Sequence, residues 1–449
     1  MPLRISQAGV RGTVGRGGLT ARHALDFGAA FAKFLPREGP VLLARDPRAS
    51  SVMLREGLAG SLMAAGRDVI DLGLASTPVL QHTMRRAGAA GGVSIGASHN
   101  PSEWNALKFF GPEGAYLTTP EADELLDLYH LRSPAVAPGT LGRYEPLDAI
   151  DPYLDDLERA FDFDTLRRFR VVVDCSNGTS SPILARLNER HGFRFILINA
   201  AADGSFAHVP STSARMVALQ LAPLIVPLDA DAGFLFDADS DRVGLATERG
   251  EPVNEELILP LAADSLLAGT EGKIVLTNLS TTSLNEAIAA KHGATVARVP
   301  VGRNAAADAL GAYPPGKIAL AGEGTGAVMI PKFRFVYDGI ATMFTLLEMR
   351  AGRGEPFSVI AQALPRYEML KEEIPLSRRR IPQMLETLSE KFSGAETNRL
   401  DGLRAELDGA WFHVRVSQTE PLVRAIAEAP GQAPRALFDE VLDIVRSFA

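Results

Sequence analysis

The chain has 449 residues, too many for one ordinary hydrophobic core, so about three or four domains are expected. Hydrophobic residues make up 46% and charged residues 22%, the composition of a soluble globular protein. With 46 basic against 54 acidic side chains the formal charge is −8, which argues against non-specific binding to nucleic acid or an anionic membrane but permits a local basic pocket.

The first apolar run, Val41 to Ala44, leads into Arg-Asp-Pro-Arg-Ala-Ser-Ser and reads as a buried strand, a polar turn and a helix start. A second strand follows Gly66, a third begins at Gly92, and a fourth over Leu107 to Phe110 precedes a helix over Pro120 to Leu128. The order restarts at Val171 to Asp174, before Cys-Ser-Asn-Gly-Thr-Ser-Ser. It continues through Gly192 to Ile198, Gly233 to Asp237, a strand over Val243 to Thr247 and a long helix over Asn254 to Leu267. A third start, Ile274 to Thr277, precedes Asn-Leu-Ser-Thr-Thr-Ser and is followed by Gly293 to Val299 and Gly316 to Leu320.

Three echoes in one order, at a period of about a hundred residues, indicate three diverged α/β domains rather than a solenoid. Their expected bounds are roughly 1–150, 151–253 and 254–365. From about 366 the pattern changes to a strand over Tyr367 to Ile374, a helix over Ile381 to Phe392, a strand over Ala410 to Val416 and an amphipathic helix from Arg435. A small α+β domain over 366–449 is the expectation.

The third strand of each repeat ends in a different polar loop: Ala97-Ser-His-Asn-Pro101, Asp237-Ala-Asp-Ser-Asp-Arg242 and Gly322-Glu-Gly-Thr-Gly326. Ligands gather beyond the carboxyl ends of strands in open α/β sheets, so the three loops are expected to face one cleft. In the second loop, Asp237, Asp239 and Asp241 follow an apolar strand, where three clustered charges repel without a cation and suit a hard ion such as Mg²⁺. An exposed acidic turn is the alternative; an EF-hand is not, because the glycine and distal glutamate are misplaced for it.

Ser98 stands between small residues and a tight His-Asn-Pro turn, an accessible setting for a phosphoryl acceptor; a capping serine in an ordinary turn is the plainer reading. A phosphorylated Ser98 would need a cation, and the neighbouring repeat offers one. Nearby His99 and Lys108 are candidates to neutralise charge or move protons, although an isolated His or Lys is usually structural or solvated. In the glycine-rich loop, Glu323 and Thr325 offer hydrogen bonds suited to sugar hydroxyls, although a flexible turn has the same composition. The tail carries Arg415-Val-Ser-Gln-Thr-Glu-Pro-Leu-Val-Arg424, whose arginines and hydroxyls suit a dianionic phosphate or simply form an exposed basic turn. Arg11 and the Arg45-Asp-Pro-Arg48 run are expected to shape the cleft.

Cys175, the single cysteine, excludes an intrachain disulfide, fits a reducing compartment and follows an apolar strand, so it reads as core. The start of the chain has no long apolar leader, and no apolar run approaches the roughly 18 residues that span a bilayer. A soluble, cytoplasmic protein is the expectation.

Together the four loops resemble the signatures of the α-D-phosphohexomutase superfamily: Ser-His-Asn-Pro, Asp-x-Asp-x-Asp-Arg, Gly-Glu-x-Ser/Thr/Asn-Gly and Arg-x-Ser-x-Thr-Glu-Pro, in the family's order. The resemblance implies three related α/β domains with mixed sheets plus a smaller α+β domain around a central cleft. It implies that phospho-Ser98 exchanges a phosphoryl group with a hexose 1- or 6-phosphate through a hexose 1,6-bisphosphate. It further implies Mg²⁺ on Asp237, Asp239, Asp241 and the phosphoserine, and charge support from Arg242. Glu323 and Thr325 would hold sugar hydroxyls, while Arg415, Ser417, Gln418, Thr419 and Arg424 would hold the non-reacting phosphate.

Three positions depart from the family pattern. Gly96 stands where Thr or Ser is frequent, Gln418 where Asn or Gly is frequent, and Ala327 where many relatives have a histidine. An acid/base role therefore does not transfer to position 327, and Lys108 and Arg11 become the candidates for proton handling. The sugar-loop and opening segments resemble an archaeal-type branch, which implies glucosamine phosphate as substrate, with glucose and mannose phosphates as the alternative. A non-catalytic sugar-phosphate-binding protein is the reading from a different class; binding alone requires neither the serine nor three aspartates.

Overall fold

The computed structural model describes residues 3–6, 9–132, 139–417 and 422–449. Its strands fall into four sheets, and the first three share one plan. In the first sheet, Val41–Arg45 lies between Val69–Leu74 and Gly91–Ile95, both parallel to it, and Trp104–Phe110 runs antiparallel beyond Gly91–Ile95. The second repeats this with Val171–Asp174 between Ile196–Ile198 and Ala232–Phe236, and Val243–Ala246 antiparallel at the next place. The third places Ile274–Asn278 between Thr295–Val299 and Ile318–Gly322, followed by antiparallel Val328–Ile330.

The central strands are short β-branched and leucine-rich runs buried along their whole length in the second and third sheets, as strands covered on both faces must be. Additions at the edges distinguish the sheets. The first gains the hairpin Arg4–Ser6 and Gly9–Thr13 beside Trp104–Phe110, which the sequence reading did not anticipate. The third gains Arg334–Tyr337 and then the helix Gly339–Arg353, so the strand, turn and helix expected only in the first two repeats is present in all three. The expected helix from Asn254 opens as a 3₁₀ turn at Glu255–Leu257, continues as Ile258–Leu266 and packs on the third sheet.

The last sheet is wholly antiparallel, in the order Tyr367–Pro375, Leu422–Pro430, Ala410–Val416, Leu403–Leu407, Glu396–Asn398. Helices Ile381–Lys391 and Arg435–Ser447 pack on it and enclose a separate apolar cluster between Ile374 and Val445. By contrast, one continuous apolar cluster runs from Leu42 to Leu364 and joins the first three units. Among the described residues, no helix is long and apolar enough to cross a membrane.

Candidate active site

The repeated sheet plan sends the connections from each first strand to opposite sides, which opens a crevice beyond the strand ends. The third strands end at Ile95, Phe236 and Gly322, directly before the serine, aspartate and glycine-rich loops. The first two loops meet: the Ser98 hydroxyl donates to Asp237 Oδ2 at 2.6 Å. Ser98 is fully buried, because the aspartate loop of the second unit closes over it. The expectation of an accessible serine is thus corrected by a contact between units that no local reading could supply. Its φ of +51° places it in the left-handed region, which costs a non-glycine residue backbone energy.

Oxygens of Asp237, Asp239 and Asp241 lie within 4.8 Å of one another, and all three side chains are buried. Burial first, and then the charges of Asp239 and Asp241, push the Asp237 carboxyl well above the usual carboxylate range. An all-oxygen set of closely held carboxylates is the donor chemistry that a hard divalent cation takes, so these residues fit Mg²⁺. The loop is braced from the third unit, where the Gly339 amide donates to Ser240 O at 3.0 Å. Asp338 caps that helix, accepting from Ile340 N at 2.9 Å and Ala341 N at 3.0 Å, and the Tyr153 hydroxyl donates to Asp338 Oδ2 at 2.9 Å.

Basic groups surround the two loops. Lys108, buried on Trp104–Phe110, ion-pairs with Asp239 and lies 3.9 Å from Asp241. Arg11, on the neighbouring strand, donates to Asn100 Oδ1 at 3.2 Å. His99 Nδ1 lies 3.4 Å from the Ser98 oxygen and 3.5 Å from Arg242 NH1, while the Arg242 amide donates to Asp237 Oδ1 at 3.2 Å. The structure therefore gathers Ser98, His99, Lys108, Arg11, Arg242 and the three aspartates at one place.

The glycine-rich loop is tied to the second unit. Val243 N donates to Gly326 O at 3.1 Å, and the Thr212 hydroxyl donates to Thr325 O at 3.1 Å. Gly326, at φ +80°, sits so close that an added Cβ would lie 2.2 Å from Val243 O, so glycine is required there. The Tyr337 hydroxyl lies 3.4 Å from Glu323 Oε1, and Thr325 Oγ1 is buried without a hydrogen-bond partner among the described residues. Such a hydroxyl can receive a ligand without surrendering an existing bond.

In the last sheet, Arg415 and Arg424 are direct cross-strand partners on one face. Arg415 donates through Nε to Asp401 at 2.9 Å and Arg424 through Nε to Glu373 at 2.8 Å, so a carboxylate steadies each guanidinium. Ser417 N bonds Leu422 O at 2.9 Å, and Gln418 and Thr419 lie outside the described residues. Sequence reasoning missed Asp401, Asp338 and Tyr337, which act on other residues rather than carrying a motif of their own. Cys175 is core as expected, its thiol pushed up to about 12 by burial.

Comparison with known proteins follows the same plan. Residues 3–133, 151–250 and 254–367 match the phosphoglucomutase/phosphomannomutase alpha/beta/alpha domains I, II and III, respectively. The chain is 32% identical over 434 residues to a phosphoglucomutase/phosphomannomutase of Thermococcus kodakarensis, covering 94% of each chain. It is 34% identical over 433 residues to a phosphoglucosamine mutase of Alkalilimnicola ehrlichii, covering 95% of this chain and 93% of that one. A crystal structure of a phosphoglucomutase/phosphomannomutase family protein from Burkholderia thailandensis superposes with TM-score 0.84 at 27% identity, over 99% of this chain and 97% of the other. An Aspergillus fumigatus N-acetylphosphoglucosamine mutase, solved with GlcNAc-6P and magnesium, shares the fold with TM-score 0.62 at 15% identity, over 100% and 96% of the two chains.

Proposed function

The chain belongs to the phosphoglucomutase/phosphomannomutase family, within the α-D-phosphohexomutase superfamily, and on that footing we propose that Ser98 is the phosphoryl carrier of its phosphohexomutase reaction. The observation that supports the assignment is the 2.6 Å contact of the Ser98 hydroxyl with Asp237, inside a buried three-carboxylate loop. In the first half-reaction the bond from phosphorus to Ser98 Oγ breaks as one forms to O1 or O6 of a hexose monophosphate. The resulting hexose 1,6-bisphosphate reorients, and the other phosphoryl group returns to Ser98.

Asp237, Asp239, Asp241 and the phosphoserine are the groups that would hold Mg²⁺, whose charge offsets that on the transferring group. Arg242 faces the same charge. Lys108 rather than Arg11 is the group that can take the proton of the attacking hydroxyl, because a guanidinium does not give up its proton in a protein. The ammonium paired with Asp239 has to lose its own proton first and accepts only as the neutral amine. Arg11 holds the serine loop through Asn100. Glu323 and Thr325 take sugar hydroxyls, and Arg415, Ser417, Gln418, Thr419 and Arg424 take the non-reacting phosphate. The working units are 1–150, 151–253, 254–365 and 366–449.

For the sugar, glucosamine phosphate is the reading, with glucose and mannose phosphates second; relatives at similar identity carry both names. Intact-mass measurement should find a phosphoryl group on wild-type protein and none on Ser98→Ala. Undiminished turnover by Ser98→Ala would sink the carrier assignment. Assays with glucosamine 6-phosphate, glucose 1-phosphate and mannose 1-phosphate decide the sugar, a higher kcat/KM for either hexose 1-phosphate reversing the order given.

A further inference from the structure

Ser98 holds a left-handed backbone that its own side chain does not favour, so something outside the residue must fix it. One local bond, from Asn100 N to Ala97 O at 3.0 Å, closes the turn. Two further carbonyls of the turn converge on a single guanidinium. Arg48 NH2 donates to Ser98 O at 3.2 Å and also to Asn100 O.

Arg48 is only 1% exposed, which is exceptional for an arginine and requires that its charge be matched. The match is Asp46, which pairs with Arg48 NH1 and is itself oriented by the Ser51 hydroxyl at 2.7 Å and the Arg48 amide at 3.1 Å. From the second unit, the Phe206 ring lies 4.6 Å from the guanidinium carbon and covers it. The planar fork is thus set by a carboxylate on one edge, capped by an aromatic ring, and spent on two backbone carbonyls of the carrier loop.

We infer that Arg48 is a positioning residue for phosphoryl transfer: oriented by Asp46, it holds the Ser98 turn so that Oγ faces the aspartate loop. The inference rests on the assignment of Ser98 as carrier. Its contacts are to backbone on the carrier's side of the cleft, so they bear on transfer and not on capture of the sugar phosphate. Lysine in its place keeps the charge beside Asp46 but offers no fork to join two carbonyls and a carboxylate.

The test uses Arg48→Lys and Phe206→Leu, with kcat, KM, melting temperature and the rate at which hexose 1,6-bisphosphate phosphorylates Ser98, followed by intact mass. In Arg48→Lys, kcat and the phosphorylation rate per folded molecule should fall about 10²-fold, the scale of a small misplacement of reacting atoms. KM should stay within about threefold, since ground-state binding is untouched. Phe206→Leu keeps every hydrogen bond and loosens only the cap, so a fall of about tenfold in kcat with unchanged KM is expected. Wild-type kcat per folded molecule in Arg48→Lys, or a rise in KM that matches the loss in kcat, overturns the inference. Should Arg48→Lys not fold, Phe206→Leu decides, and wild-type turnover there overturns it. Ser98→Ala separates the two readings. Turnover in that variant removes the carrier assignment itself, whereas an inactive Ser98→Ala beside fully active Arg48 and Phe206 variants removes the positioning role alone.

Discussion

Lys108 reaches from the first sheet into the carboxylate loop of the second unit, ion-pairing with Asp239 and standing 3.9 Å from Asp241. A buried ammonium and a divalent cation placed on the same carboxylates repel each other. Lys108→Met should therefore bind Mg²⁺ about tenfold more tightly by calorimetry while losing about 10²-fold or more in kcat. Asp239→Asn should shift both quantities downward. If Lys108→Met leaves Mg²⁺ affinity unchanged, the lysine does not compete for those carboxylates.

Thr325 offers a separation of stability from binding. Its buried Oγ1 has no partner among the described residues, so Thr325→Val removes an unmet hydrogen-bonding demand. Unfolding free energy should stay level or rise by about 1 kcal/mol, while KM for the sugar phosphate rises about tenfold. Urea titration and steady-state assays measure the two. A variant that loses stability and keeps its KM would place the hydroxyl in the fold and not at the sugar.

Two buried histidines each contribute to the pH dependence with a definite sign. Burial, helped by Arg334, brings His82 down to about 4 despite its bond to Asp156, and burial brings His413 down to about 4 between Ser280 and Asp401. Both folded values lie below the ordinary histidine value, so at these two sites the unfolded chain binds more protons, and their contribution to stability falls as pH drops from about 6.5 toward 4. Asp338, raised to about 6 mainly by burial, and Asp237, raised by burial and its neighbouring carboxylates, work in the opposite direction. Asp264, lowered to about 2 by bonds to Lys291, His292 and Arg353 that outweigh its burial, acts only at lower pH. Unfolding free energies from urea titration between pH 7 and 4.5 should fall more in the wild type than in His413→Gln, by on the order of 1–3 kcal/mol at the acid end. Equal slopes in the two proteins would contradict this.

Gly96 is fixed by its neighbour rather than by its own dihedral angles. A Cβ there would lie 2.8 Å from Asp46 Oδ2 and 2.9 Å from its Cγ, and Asp46 is tied to Ser51 and Arg48. Gly96→Ala should cost about 1–3 kcal/mol as overpacking. Gly60 in the helix Ala49–Ala64 has nothing within 4 Å of an added Cβ, so Gly60→Ala should instead stabilise by about 0.5–1 kcal/mol. Thermal unfolding of the pair checks the contrast, and equal effects would show that contact at Gly96 is not decisive.

The repeated sheets were legible because their central strands are continuous apolar runs closed by polar, turn-forming loops, as at Val171–Asp174. The loops were legible because their chemistry is local: carboxylates at alternating positions or glycines around Glu323 declare themselves without tertiary information. What escaped depends on contacts far along the chain. The burial of Ser98 comes from a residue 139 positions away. The helix Gly339–Arg353 escaped for a local reason, because Tyr337, Asp338 and Gly339 read as a loop until Asp338 is seen to cap it. Arg48 was expected only to shape the cleft, since nothing in Arg-Asp-Pro-Arg says that its guanidinium turns inward to Ser98.

The enclosure of Ser98 also bears on how the protein behaves between encounters with sugar. A phosphate ester on an exposed serine is open to attack by solvent, and each such loss would leave the enzyme inert until a bisphosphate reloads it. Here the oxygen that would carry the ester is covered by the aspartate loop, itself braced by Gly339. With Ser98 as the carrier, idle hydrolysis would be limited by how often the contact between Ser98 and Asp237 opens to water. A change that loosens the seam between Ser98 and Asp237 would then shorten the life of the loaded enzyme.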